Sequence, residues 1–187
     1  MADFNWKVGD IVSNARGTKS ASILSNGQCP TKKFGTVAHP LHSPYGAASF
    51  DPNSARLSID FNIDGDLREF LEKLDKWAKE TILTESPRLF KKQLTKDEVN
   101  LMYVPTIKKH AKDGVQYADT CKCKFTKNKL RHWAFDHKAR EAPSDYRNAD
   151  LVGMVSIKNF WFGSNQIGVV MELEDLMVSE TIKECPF

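Results

Sequence analysis

Long apolar runs are missing from this chain, and so are the short signatures that mark most enzymes. No stretch approaches the roughly 18 consecutive apolar residues that a membrane-spanning helix needs, so no membrane partner is expected. The opening Met1-Ala-Asp-Phe-Asn-Trp-Lys7 has no basic stretch followed by an apolar one, and does not read as a leader. Cysteine is scarce: Cys29, Cys121, Cys123 and Cys185 follow no small-secreted-scaffold spacing. They read as reduced thiols, which places the chain inside a cell, in cytosol or nucleus. There is no phosphate-cradling Gly-rich loop, no His-Glu-x-x-His and no Gly-x-Ser-x-Gly. Most acidic residues fall where helix pairing or tail solvation explains them. The expectation is therefore a protein without catalytic residues and without a cofactor.

What is present is ordinary in amount and uneven in distribution. Hydrophobic residues make up 41% and charged residues 27% of 187, as in a globular domain with a sizeable core. Net charge is only +3. The segment 101–140, however, holds ten basic residues against three acids, Asp113, Asp119 and Asp136. The segment 171–187 holds five acids against Lys183. A basic middle and an acidic end suggest a polyanion site and a competing or solvated tail. Two ordinary solvated faces would give the same totals.

The periodicities predict mostly strands. Asn26-Gly27 favours a type I′ turn and so a hairpin over 20–37, because both turn residues need positive φ. Pro40, Pro44, Gly46 and Pro52 make 38–54 a loop. Leu57, Ile59, Phe61 and Ile63 alternate with polar residues, as in a strand with one buried face. A long helix follows, capped by Asp66 with Glu69 three residues on. Its apolar stripe is Leu67, Phe70, Leu71, Leu74, Trp77, Ala78 and Ile82, its outer pairs are Glu69–Lys73, Glu72–Lys76 and Asp75–Lys79, and Pro87 is expected to stop it. Thr95 and Glu98 suggest a shorter second helix. Strands resume over 103–110, 116–125, 152–162 and 166–178. Strands, one long amphipathic helix, then strands is the order of an OB-like small barrel, in a mainly β (α+β) chain. We place that domain at 20–178, with an N-terminal extension over 1–19 and a mildly acidic tail over 179–187.

Three constellations carry chemistry. The first is the basic segment interleaved with rings: Lys108, Lys109, Lys122, Lys124, Lys127, Lys129 and Arg131, with Tyr103, Tyr117 and Trp133. Single-strand binding needs cations along phosphates and flat rings for unstacked bases. The competing reading makes the rings core and the lysines solubilising. The second is Cys121 and Cys123 with His132 and His137, a conceivable zinc set. Alternation with Lys122 and Lys124 explains both thiols as core neighbours of Phe125, so no metal is expected. The third is Phe160-Trp161-Phe162, in which Trp161 faces away from its two neighbours and is either a further ring for bases or packed.

Several segments together resemble a known group. They are Pro44-Tyr45-Gly46, Tyr103-Val-Pro105-Thr-Ile107-Lys108, Phe160-Trp-Phe-Gly163 and Gln166-Ile-Gly168-Val-Val170. In that order they resemble poorly characterised proteins of nucleocytoplasmic large DNA viruses, which are similar to OB-fold single-stranded DNA-binding proteins of viruses and phages. The resemblance implies a viral protein that binds single-stranded DNA without sequence preference, in replication, recombination or repair. RNA, a second copy of the chain, and replication proteins met through the tail are further partners this reading admits. The end, Glu180 to Phe187, departs from the dense acidic tail of phage members but finishes on an aromatic, and their zinc knuckle is absent. The other functional class open to the sequence is a viral structural or assembly protein acting through protein–protein contacts.

Overall fold

The computed structural model describes residues 4–13, 17–49 and 53–179. Residues 180–187, most of the expected tail and its Phe187, lie outside them, as does Pro52. The chain is mainly β with two helices, in two compact units. The first comprises residues 1–31, 65–108 and 156–171; the second comprises 32–64, 109–155 and 172–187.

In the first unit, β1 (Lys7–Ser13) and β2 (Lys19–Leu24) form an antiparallel pair, so the stretch 1–19 contributes a strand as well as an extension. The end of β10 (Ala149–Phe162) pairs with β2, Phe160 opposite Ala21, and the start of β11 (Ile167–Val178) lies beside it. Alternation sends Phe160 and Phe162 into the core. The long helix α1 (Gly65–Phe90) buries Leu67, Leu71, Leu74, Trp77, Ala78 and Ile82 as its stripe requires. Trp77 stacks on Phe160 with centroids 5.8 Å apart, and Phe90 meets Phe162 edge-on at 5.6 Å. The short helix α2 (Lys96–Met102) starts on the Thr95–Glu98 capping box.

The helix does not stop at Pro87; it runs on to Phe90. Proline there removes the N–H that would bond the Leu83 carbonyl. Two side chains replace it: Ser86 Oγ donates to that carbonyl at 2.8 Å and Gln93 Nε2 at 3.1 Å. Ser86 Oγ also accepts from the Leu94 N–H at 3.1 Å, which ties the next segment down. Asp75 also departs from the sequence reading. Besides its charge interaction with Lys79 it accepts from Tyr103 Oη at 2.7 Å and from the Thr106 N–H. Burial raises its pKa, and those bonds oppose the rise.

The second unit is built on β6 (Arg56–Asn62) and β8 (Val115–Thr126), antiparallel with Arg56 opposite Thr126 and Asn62 opposite Thr120. β5 (Ala47–Ala48) lies along β6. β8 runs parallel to the end of β11, Lys124 opposite Glu172, and β9 (Arg131–Trp133) continues beside β11. The start of β10 takes β4 (Leu41–Ser43) and β3 (Thr31–Phe34). β7 (Ile107–Lys112) joins β8 through Asp113 and Gly114, both at the positive φ that a two-residue type I′ hairpin turn needs. Ile59, Phe61, Cys121, Cys123, Phe125, Leu151, Val155 and Leu173 are buried.

Two expectations are corrected. The Asn26-Gly27 turn forms, with φ of 50° and 82°, but β3 after it pairs with β10 rather than returning along β2. The Pro30 carbonyl, which accepts from the Ile157 N–H at 2.8 Å, draws the chain to β10. Nor is the ladder closed into a barrel among the described residues: its order runs from β1 to β5, and those two ends do not pair. At the β5 end the strand has only two residues, too short an edge to template a closing partner.

The Ser86 hydroxyl should matter for folding. Ser86→Ala leaves the Leu83 carbonyl with a weaker partner and the Leu94 N–H unsatisfied, and should cost about 1–3 kcal/mol in urea unfolding. A change near zero would show that water takes over both bonds.

Candidate nucleic-acid interface

Within β8 the two-residue period does the sorting. Cys121, Cys123 and Phe125 are buried at 0%, 0% and 1%, so Lys122 and Lys124 stand on the opposite, solvent side. Cross-strand register adds Asp60 opposite Lys122, Ser58 opposite Lys124 and Arg56 opposite Thr126. The sequence reading missed Arg56. Its parity with Ser58 and Asp60, on the wet side of the clearest strand, was the available signal.

The electrostatics of this face are those of crowded cations. The Lys124 pKa is lowered, first by desolvation against the sheet, then by Arg56 and Lys122, while Glu172 pulls it back. Arg56 lies 3.7 Å from Glu172. One carboxylate therefore serves two cations, and a phosphate approaching them would be favoured.

The face continues past Lys124. After the exposed turn holding Lys127 and Lys129, β9 sets Arg131 opposite Asp175 and Trp133 opposite Met177. Arg131 donates to Asp175 Oδ2 at 2.6 Å and Trp133 Nε1 to Oδ1 at 2.9 Å, so one carboxylate fixes both. The half-buried Trp133 ring lines a cleft of about 480 Å³ with Met154, Met177, Lys33, Arg131 and His137. An apolar floor, a held indole and the cations Lys33 and Arg131 suit a flat, anionic-backbone ligand.

Other expected site residues fall elsewhere. Tyr103 is 5% exposed and bonded to Asp75 in the first unit, so it offers no ring to a ligand. Burial and the Asp75 charge raise its pKa well above the usual tyrosine value. Trp161, also in the first unit, is packed over Gly168, where a Cβ would lie 2.5 Å from its Nε1. That closeness explains the glycine. Lys108 is half-buried in the first unit; Lys109 is exposed and begins a segment of the second. Tyr117 is 52% exposed on β8, outside the stretch paired with β6. His132 is buried with Nε2 2.7 Å from Tyr146 Oη, and no cluster of three metal-ligating side chains occurs among the described residues. Cys121, Cys123, His132 and His137 are thus not brought together. No helix among the described residues is long and apolar enough to cross a membrane.

No family model matches the chain, and no curated protein matches it by sequence. Among solved structures the chain is similar to gp2.5, a single-stranded DNA binding protein encoded by bacteriophage T7. The identity is 17%, the TM-score 0.51, and the match covers 80% of this chain and 87% of that one. It is also similar to a C-terminally truncated single-stranded DNA-binding protein from bacteriophage Enc34, with 13% identity and a TM-score of 0.42 over 92% and 91% of the two chains. The T7 comparison shows a shared fold, so the likeness to phage proteins drawn from short segments holds at the level of fold.

The crowding of Lys124 is measurable. In Arg56→Gln the Lys124 ammonium should titrate at higher pH than in the parent, because a like charge is removed and Glu172 is released to it. Side-chain carbon NMR of lysine-labelled protein reads the shift. An unchanged titration would mean that the Arg56 charge does not act on Lys124.

Proposed function

We infer that the second unit binds single-stranded DNA, largely without sequence preference, in support of replication, recombination or repair. The observation that carries this reading is the run of Arg56, Lys122 and Lys124 on one sheet face, continued along β11 to Arg131 and the Trp133 cleft. Lysine and arginine take the phosphates, and the Trp133 ring takes a base. Two of the acids on this face are committed, Glu172 to Arg56 and Asp175 to Arg131 and Trp133, and they orient those cations. The OB-like order of elements and the fold shared with a phage single-stranded DNA binding protein support the same reading. Backbone contacts and stacking carry no base code, hence the lack of sequence preference.

Gel shifts with labelled single-stranded DNA, single-stranded RNA and duplex should show tightest binding to single-stranded DNA. The slope of log affinity against log salt should be about −0.7 per phosphate contact. Lys122→Ala with Lys124→Ala should flatten it by roughly 1.4. Trp133→Ala should weaken binding by ~1–3 kcal/mol with little change of slope, since stacking releases few ions. A folded double lysine variant with the parent's affinity and slope would move the interface elsewhere.

A further inference from the structure

In Pro44-Tyr45-Gly46 the glycine is buried and the tyrosine is not, and the loop is braced on both sides. Gly46 sits at φ +71°, and a Cβ there would come within 2.9 Å of Asp145 Oδ1 and 3.0 Å of the Arg147 nitrogen. Asp145 is itself fixed by accepting from the Arg147 N–H at 2.9 Å. On the other side Ser43 is buried, and its carbonyl accepts from the Asn148 N–H at 2.8 Å. Between these anchors Tyr45 stands 54% exposed. A large ring held out on a braced loop calls for an explanation other than packing.

The ring's neighbours supply it. Tyr45 lies 6.0 Å from the His110 ring at 60°, and His110 Nε2 is 2.8 Å from Thr120 Oγ1. Thr120 precedes Lys122 by two residues in an unbroken register, so it shares the Lys122/Lys124 side of β8. It is fully buried there, beneath the histidine bonded to it. Ala48, opposite Ser58, keeps the ground low between Tyr45 and Lys124, since both side chains are small. β8 and β11 run parallel, so Trp133 lies beyond Lys124 in the opposite direction: four residues from Thr120 to Lys124, then five from Glu172 to Met177. At about 3.3 Å per residue the two ring sites are roughly 30 Å apart along the strands.

We propose that Tyr45, backed by His110, is a second stacking platform for an unstacked base, at the end of the Arg56/Lys122/Lys124 face opposite Trp133. It rests on the single-strand reading and extends it: one strand passes a ring at each end, with its phosphates on the cations between. Only a strand long enough to span both rings engages both.

The test uses the full chain and an oligo-dT of about 15 nucleotides, within the range of OB-fold site sizes. Tyr45→Ala should weaken binding roughly 5- to 150-fold at an unchanged salt slope, and Tyr45→Phe should stay near the parent. Photo-crosslinking of a bromodeoxyuridine oligonucleotide should mark the peptide holding Tyr45 or the one holding His110, together with the peptide holding Trp133. A folded Tyr45→Ala that binds as the parent does, while Trp133→Ala and the double lysine variant bind weakly, overturns the second platform and leaves the function standing. A parent chain that binds no single strand overturns both.

Discussion

The antiparallel pairing of β6 with β8 is the constraint on which the second unit depends. Seven consecutive residue pairs, from Arg56–Thr126 to Asn62–Thr120, lock the register. Because strand side chains alternate, that register does two things at once. It drives Ile59, Phe61, Cys121, Cys123 and Phe125 into the core, and it sets Arg56, Lys122 and Lys124 on the other side. A slip of one residue would bury the lysines and expose the phenylalanines, so the hydrophobic core itself holds the cationic face in place. The two cysteines are part of that lock. Burial, and the neighbouring Cys121, raise the Cys123 pKa, which keeps it a thiol with packing rather than reactivity as its role.

Carboxylates serve as braces on this unit. Asp175 takes the Arg131 guanidinium and the Trp133 indole together, and Glu172 sits by Arg56 and Lys124. An exposed ion pair contributes little to stability, a few tenths of a kcal/mol to about 1. Its value here is geometric: an indole whose N–H is already bonded keeps its orientation and offers its face. Rings that rotate freely lose more entropy on binding than rings held beforehand.

The first unit shows how proline and a buried acid are accommodated. The Leu83 carbonyl, deprived of its helical donor by Pro87, is met by Ser86 and Gln93. Asp75 collects Tyr103 and Thr106 and so links α1 to the segment entering β7. Both follow from one rule: a polar group withdrawn from water must find a partner. Gly168 answers a steric need of the same kind, leaving room for the Trp161 indole.

Local pattern was enough for much of this. The β6 strand, the α1 stripe, the Thr95–Glu98 capping box, the Asn26-Gly27 and Asp113-Gly114 turns and the burial of Cys121 and Cys123 beside outward Lys122 and Lys124 all follow from spacing over a few residues. What needed the tertiary structure was every relation between distant segments. The sequence counts Tyr103 among the rings for bases and leaves Trp161 between that role and packing; Asp75, 28 residues away, claims Tyr103, and Trp161 packs over Gly168. Arg56 and Asp175 joined the basic face only through pairing with β8 and β9. The partner of β3, and an open ladder where a barrel was expected, were settled by which strands find each other. Side-chain periodicity is a property of one strand or helix, and sequence carries it directly. Register between strands, and the partner a buried polar group meets, depend on which distant residues the packed core brings within reach.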